Sequence, residues 1–356
     1  MSSWRERALT LALALTATAA ALGLAEWILR VYEDRIASSS MIEPGLLKYH
    51  AVLGWSLAPY WQGEHHHHDF DVTYRINADG FRGEFPLFGA AKTRRRIAVL
   101  GDSFTFGIGV DDAETFVARL AGSGRDEHLN FAVPGYSTDQ QLLQLPEQVL
   151  AFEPDAIWVV VYLGNDLIDN ALAYPLQAEL AKPYFELGED GTLLLRGSPP
   201  PARIPAADLD RPTLEQIAFG DALTAPPSLR LVARFLPPPP LADAEAVLAR
   251  NLAQQTTLFS ALLDELVRKA SPRPLMLVLL PGQSAVVAPD SPAAALQAYA
   301  SDVAAGAAQR LGVATLDLTD TLRARCAAPS CFHQNEGHLN AIGHQVVADA
   351  IKALRN

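Results

Sequence analysis

Five short apolar runs, separated by longer stretches with helical periodicity, constrain this chain more than any other feature. They are Ile97 to Leu100, Leu129 to Val133, Ile157 to Leu163, Leu275 to Leu280 and Val313 to Leu318. A strand with one wet face alternates apolar and polar residues, whereas a strand covered on both faces reads as a continuous apolar run. Runs of this kind with helices between them are the signature of βαβ units. The expectation is an α/β domain with five parallel strands and helices on both faces of the sheet. At 356 residues and 49% hydrophobic content, the chain can build such a core as one large domain or one domain with an appendage.

The first 36 residues follow a different rule. Arg5 and Arg7 precede an uncharged run rich in Leu and Ala, from Ala8 to Ala25, which as a helix would extend about 27 Å at about 1.5 Å per residue. That length suits a transmembrane anchor. A signal peptide has a shorter apolar stretch, although Ala17-Thr18-Ala19 mimics a cleavage site. Trp27 suits the membrane interface, and Glu26 with Arg30 forms an i,i+4 pair. Both arginines precede the span, so the N-terminus is expected in the cytoplasm and the rest of the chain on the periplasmic or extracellular side. The membrane is thus an expected partner. Nucleic acid is not, because 28 basic against 40 acidic residues leave a net charge of −12, which does not attract phosphate backbones.

Residues 37–93 read as a small β-containing lead-in, with Gly54-Trp55 and an alternating stretch from Phe70 to Ile76. Residues 94–356 read as the α/β domain, interrupted at 171–240 by an insertion. That stretch carries 13 of the 25 prolines, Pro237 to Pro240 among them, and has no sustained period. A hairpin is expected from Phe185 to Leu195, turning at Glu189-Asp190-Gly191. A long amphipathic helix follows, with Leu248, Leu252, Phe259, Leu262, Leu266 and Val267 on one core-facing stripe. No internal repeat is visible. Cys326 and Cys331 lie close together, as a small disulfide in an oxidising compartment or as two free thiols.

The chemistry gathers where the strands end. The first run closes in Gly101-Asp102-Ser103-Phe104-Thr105-Phe106-Gly107, so Ser103 stands where a strand gives way to a loop and a helix. In open α/β sheets that carboxyl edge is where ligands bind; the plain structural reading is a helix cap. The second run closes in Ala132-Val133-Pro134-Gly135, and the third in Leu163-Gly164-Asn165-Asp166. Acyl transfer needs donors aimed at a developing oxyanion, and the backbone N–H groups of Ser103 and Gly135 with the Asn165 amide could supply three. Asn165-Asp166 could instead close a turn. Near the C-terminus, Glu336-Gly337-His338-Leu339-Asn340 precedes a terminal helix from Ala341 to Leu354, which puts His338 on a loop at the same rim as a candidate general base.

Gly101-Asp102-Ser103, Gly135, Gly164-Asn165-Asp166 and His338 resemble the four blocks of SGNH/GDSL hydrolases, in the order that family keeps. The resemblance covers roughly residues 94–356 with the insertion set aside. It implies a flavodoxin-like three-layer α/β/α fold, a serine nucleophile at Ser103, a base at His338, and an oxyanion hole at Ser103, Gly135 and Asn165. Asn77-Ala78-Asp79-Gly80-Phe81-Arg82-Gly83 in the lead-in also resembles a segment of membrane-anchored bacterial members, with no chemistry attached to it.

The chain departs from the family at one point. The family places an Asp three residues before the His, and here that position holds Asn335, an amide that cannot stabilise an imidazolium as a carboxylate does. Glu336, two residues before His338, is the expected acid, its extra methylene making up reach. Ser103 does not sit in a Gly-x-Ser-x-Gly elbow, since Thr105 stands where the second Gly belongs, and no Gly-Lys-Ser/Thr makes a phosphate loop. His65 to His68, flanked by Glu64 and Asp69, do not match structural metal-site spacing and read as a solvated loop. No metal or organic cofactor is implied. The expected activity is hydrolysis of acyl esters, on acetylated carbohydrate, short-chain esters or lipid. The alternatives are an envelope glycan O-acyltransferase using the same residues, and a catalytically silent envelope scaffold.

Overall fold

The five apolar runs do form one sheet. The computed structural model describes residues 4–38, 41–84, 88–122, 124–175, 180–202, 214–219, 244–326 and 330–354. Its strands, in chain order, begin with β1 (Met41–Ile42), β2 (Leu47–His50), β3 (Gly54–Leu57), β4 (Gln62–His67) and β5 (Phe70–Arg75) in the lead-in. They continue with β6 (Arg96–Leu100), β7 (Glu127–Asn130), β8 (Ala156–Tyr162), β9 (Tyr184–Leu187), β10 (Leu193–Arg196), β11 (Leu275–Leu280) and β12 (Ala314–Asp317). The central sheet has the order β12-β11-β8-β6-β7, and all its pairs are parallel.

Side chains alternate between the two faces of a strand, and in the central strands β6, β8 and β11 both sets are apolar, while edge strand β7 carries Glu127, His128 and Asn130 and edge strand β12 is largely exposed. Ala98, Leu100, Ile157, Val159, Val161, Leu277 and Leu279 pack on one side, with Leu258, Leu262 and Leu266 of the helix Ala253–Ala270. Ile97, Val99, Trp158, Val160, Val278 and Leu280 pack on the other, with Val117 and Leu120 of the helix Phe116–Ala121 and Val347 and Ile351 of the helix Ala341–Ala353. Each such side chain removed from water stabilises the fold by about 1.5–3 kcal/mol. The expected three-layer α/β/α architecture follows.

The long amphipathic helix runs as two segments, Ala244–Asn251 and Ala253–Ala270. Leu252 leaves the helical region there (φ −108°, ψ 17°), while its N–H still reaches Leu248 O at 2.8 Å and Thr256 N–H reaches Leu252 O at 2.9 Å. The stripe itself is core, with Leu248, Leu252, Phe259, Leu262 and Leu266 buried and Val267 packed against them. The hairpin in the insertion forms as β9 and β10, antiparallel, turning through Gly191 at φ +79°. Pro237 to Pro240 lie outside the described residues.

The reading of His65 to His68 as a solvated loop is corrected. They belong largely to β4, which pairs antiparallel with β5, and the period of two sends alternate residues to opposite faces. His66 points outward to Asp71 at 2.8 Å. His65 is buried, its Nδ1 committed to the Tyr74 hydroxyl at 2.7 Å. Burial pushes the His65 imidazole down to about 4, although the nearby Glu336 charge pulls the other way. His67 is also covered, its side chain 4% exposed.

The N-terminal helix spans Trp4–Ser38. Its apolar stretch Glu6–Ile28 covers 23 residues, none of them buried, and Leu9, Leu11, Leu13, Leu15, Leu22 and Leu24 are all exposed. Such a surface suits lipid, as an anchor or a signal peptide.

Candidate active site

Ser103 is the first residue of a short helix, Ser103–Phe106, placed directly behind β6. The cap of that helix is Asp102, whose Oδ1 accepts the Phe104 N–H at 3.0 Å, so the hydroxyl of Ser103 is free for other work. The turn is tight. A side chain on Gly101 would put its Cβ 2.2 Å from Thr105 Oγ1, and the helix stops at Gly107 in the left-handed region at φ +92°, where glycine carries no steric penalty.

The Ser103 hydroxyl lies 2.7 Å from His338 Nε2, and His338 Nδ1 lies 2.6 Å from Glu336 Oε1. A carboxylate can only accept, so Nδ1 carries a proton toward Glu336 and Nε2 faces Ser103. The other oxygen, Glu336 Oε2, accepts the His338 backbone N–H at 2.9 Å. One carboxylate therefore grips both the ring and the backbone of a residue two positions on. Gly337, at φ +86°, makes that reversal sterically cheap. Burial pushes the Glu336 carboxyl up, but the hydrogen bonds and charge of His338 outweigh it and hold the group below the usual glutamate range. The His338 and Glu336 side chains are only 16% and 13% exposed, and the Phe104 ring lies against the imidazole at 4.3 Å.

The loop carrying these residues is pinned at its base. Cys326 and Cys331 form a disulfide across a Cα separation of 5.2 Å. Asn340 Oδ1 caps the terminal helix by accepting the N–H groups of Ile342 and Gly343, both at 3.0 Å. Gly343 packs so close to Cys331 O that a Cβ would sit 2.2 Å from it.

The sheet order puts β7 and β8 on either side of β6, so the loops of Gly135 and Asn165 flank that of Ser103. Gly135 adopts φ +82°. Asn165 is buried and its Nδ2 donates to Asp169 Oδ2 at 2.5 Å, which uses one of its two N–H groups and orients the amide. Asn335, the residue at the family's usual acid position, turns instead to Asp69, where its Nδ2 donates to Oδ1 at 2.6 Å.

What the sequence reading missed is the reach of the lead-in. The Arg82 guanidinium, fully buried, donates to the carbonyls of Phe106 at 2.8 Å, Gly107 at 2.5 Å and Val110 at 2.5 Å, and to Asp112 Oδ1 at 2.8 Å. The Tyr74 hydroxyl accepts the Gly109 N–H at 2.9 Å. Trp55 Nε1 donates to Pro134 O at 3.0 Å, and the Tyr136 hydroxyl donates to Trp55 O at 2.5 Å, bracketing Gly135. The available signals were the Asn77–Gly83 motif and the alternation through Phe70–Ile76, but neither names its partners.

Solved structures of similar shape include an acetyl xylan esterase, AlAXEase, with 11% identity, 73% of this chain and 98% of that chain covered, and a TM-score of 0.41. A lipase/acylhydrolase from Enterococcus faecalis shares 14% identity over 72% of this chain and 93% of its own, with a TM-score of 0.40. A catalytic mutant of the acetylxylan esterase Axe2 from Geobacillus stearothermophilus shares 12% over 72% and 92%, also with a TM-score of 0.40. No curated protein sequence matches the chain significantly. Residues 99–346 match the model of the GDSL-like lipase/acylhydrolase family, a span that takes in Ser103, Gly135, Asn165 and His338, and the chain belongs to that family.

Proposed function

We propose that the chain is a serine esterase working through an acyl-enzyme, with Ser103 as nucleophile, His338 as base and Glu336 as the acid that orients it. The observation that carries this reading is the unbroken line from Ser103 Oγ to His338 Nε2 at 2.7 Å and from His338 Nδ1 to Glu336 at 2.6 Å. Nε2 takes the hydroxyl proton as Oγ attacks the ester carbonyl. The oxyanion that forms is met by the N–H groups of Ser103 and Gly135 and the remaining N–H of Asn165, which lie on the neighbouring strand-end loops. His338 returns the proton to the departing alcohol, then takes one from the water that hydrolyses the acyl-enzyme. Glu336 stays ionised and offsets the imidazolium charge at each transfer.

The substrates of this reading are acyl esters of carbohydrate or lipid. The division into an anchor with its flanks at 1–36, a lead-in at 37–93 and a hydrolase domain at 94–356 belongs to the same proposal. The N-terminal helix holds the hydrolase domain against the outer face of the membrane, where the Cys326–Cys331 disulfide is stable. The contact of Glu336 with His338 weighs against a silent scaffold.

The full chain in detergent, assayed on p-nitrophenyl esters of increasing acyl length, tests the reading. Ser103→Ala is expected to abolish hydrolysis, and Glu336→Gln to lower kcat by about 10⁴-fold, the scale seen when a triad carboxylate becomes an amide. Asn335→Ala should cost far less than Glu336→Gln; the reverse order would refute the acid assignment, and hydrolysis surviving in Ser103→Ala would refute the mechanism.

A further inference from the structure

The contact that turns Asn335 away from His338 joins residues 266 apart in the chain. Asp69 sits in the turn between β4 and β5, and its carboxylate accepts three hydrogen bonds from the segment just before His338. Oδ2 takes the Asn335 N–H at 2.6 Å and the Glu336 N–H at 3.0 Å, and Oδ1 takes the Asn335 side-chain amide at 2.6 Å. Asp69 is itself fixed, since its own N–H donates to His67 Nδ1 at 3.1 Å. The Asp69 and His67 side chains are 10% and 4% exposed, while Asn335 across from them is exposed. Beside it the Phe70 ring lies 4.7 Å from His333 and 5.1 Å from His67.

We propose that Asp69 is a positioning residue of the catalytic site, holding the Asn335–Glu336 turn so that the Glu336 carboxylate stays on His338 Nδ1. Asn335 is matched to that role. A carboxylate has acceptors only, so every group facing it must donate, and an aspartate at 335 would set two carboxylates against each other where the amide now stands at 2.6 Å. The family's acid position is thus occupied by a clip, and the acid stands one residue later. A glutamate has one more rotatable bond than an aspartate and loses more entropy when it is ordered; fixing its backbone from a second element removes that freedom before substrate arrives. Burial alone would push the Asp69 carboxyl up, but the N–H groups of Asn335 and Glu336 more than reverse this and keep the group ionised.

The inference rests on Glu336 being the acid of the proposed mechanism, and the experiment separates the two. In the full-length protein in detergent, kcat and KM for p-nitrophenyl acetate are measured per active site counted with a fluorophosphonate. Asp69→Ala is expected to lower kcat by about 10- to 100-fold with KM unchanged, the scale of a misplaced catalytic group. Asp69→Asn should recover most of the loss, because the amide oxygen accepts the same backbone N–H groups and the Asn335 amide can rotate to answer it. In a Glu336→Gln background Asp69→Ala should add little. Wild-type kcat in Asp69→Ala, equal losses in Asp69→Ala and Asp69→Asn, or a full multiplicative loss on top of Glu336→Gln would each overturn the role. If Asp69→Ala does not fold, Asn335→Asp carries the same test. Its kcat should fall and be restored by adding Asp69→Asn, and an unchanged kcat overturns the proposal. Hydrolysis surviving in Ser103→Ala, or a near wild-type kcat in Glu336→Gln, would overturn the mechanism as well, whereas the expected losses in both of those with none in Asp69→Ala overturn this inference alone.

Discussion

Asp102 caps the helix that carries Ser103 and is buried beneath it. Burial drives its carboxyl up to about 6 from 3.8, against the pull of the His338 charge and of the backbone N–H groups of Phe104 and Thr105. A folded-state value raised above the unfolded one means that the native protein binds the proton more tightly, so stability falls as pH rises from about 4 to about 6 and stays lower above that. Asp102→Asn keeps the capping oxygen and removes the charge. Its thermal midpoint is expected to exceed that of the wild type at pH 8 and to approach it at pH 4, as scanning calorimetry at the two pH values would read. A constant gap would mean that the carboxylate is not what costs stability there. The same scale holds the clearest limit of the sequence. Position 335 departs from the family and Glu336 offers the alternative, yet a carboxylate two residues from a histidine reaches its ring only if the backbone reverses, and that reversal is a property of Gly337 and its surroundings.

Arg82 gives the scale of elements its strongest case. The loop from Phe106 to Val110 turns carbonyls inward, and the guanidinium from the segment after β5 meets three of them together with Asp112. The Tyr74 and Phe106 rings lie 4.4 Å and 4.7 Å from the charge. Arg82→Met keeps the bulk, strands those acceptors and, among the described residues, leaves Asp112 only its 3.5 Å ion pair with Arg75. Breaking a buried charge pair in this way costs about 3–5 kcal/mol, so the urea midpoint should fall accordingly; a loss below about 1 kcal/mol would show that water replaces the guanidinium without penalty. The Asn77–Gly83 motif was visible in the sequence, but not its purpose. Its partners lie 24 to 30 residues further on, and no periodicity links them.

Across the whole molecule, lead-in and hydrolase share a core. Leu46, Leu53, Trp55, Leu57, Tyr74 and Ile76 pack with Phe106, Ile108, Ala132, Val133 and Tyr136, so neither side buries its apolar surface alone. A chain beginning at residue 94 would expose the second group directly beside Ser103 and Gly135. Such a chain is expected to aggregate or bind a hydrophobic dye, while one beginning at residue 37 stays monodisperse by size-exclusion chromatography. Equal behaviour of the two would mean that the shared core is dispensable.

The sequence by itself determined the central strands of the sheet, because a strand covered on both faces is apolar on both, and that requirement is local and repeats along the run. It also put Ser103, Gly135 and Asn165 just past neighbouring strands, and in a parallel sheet those strands end on the same side. Which carboxylate faces His338, what Asn335 does, and why the lead-in is present were decided only by tertiary structure. A hydrogen bond between residues 266 apart depends on two surfaces brought together by packing, and nothing in the order of residues along the chain records that meeting.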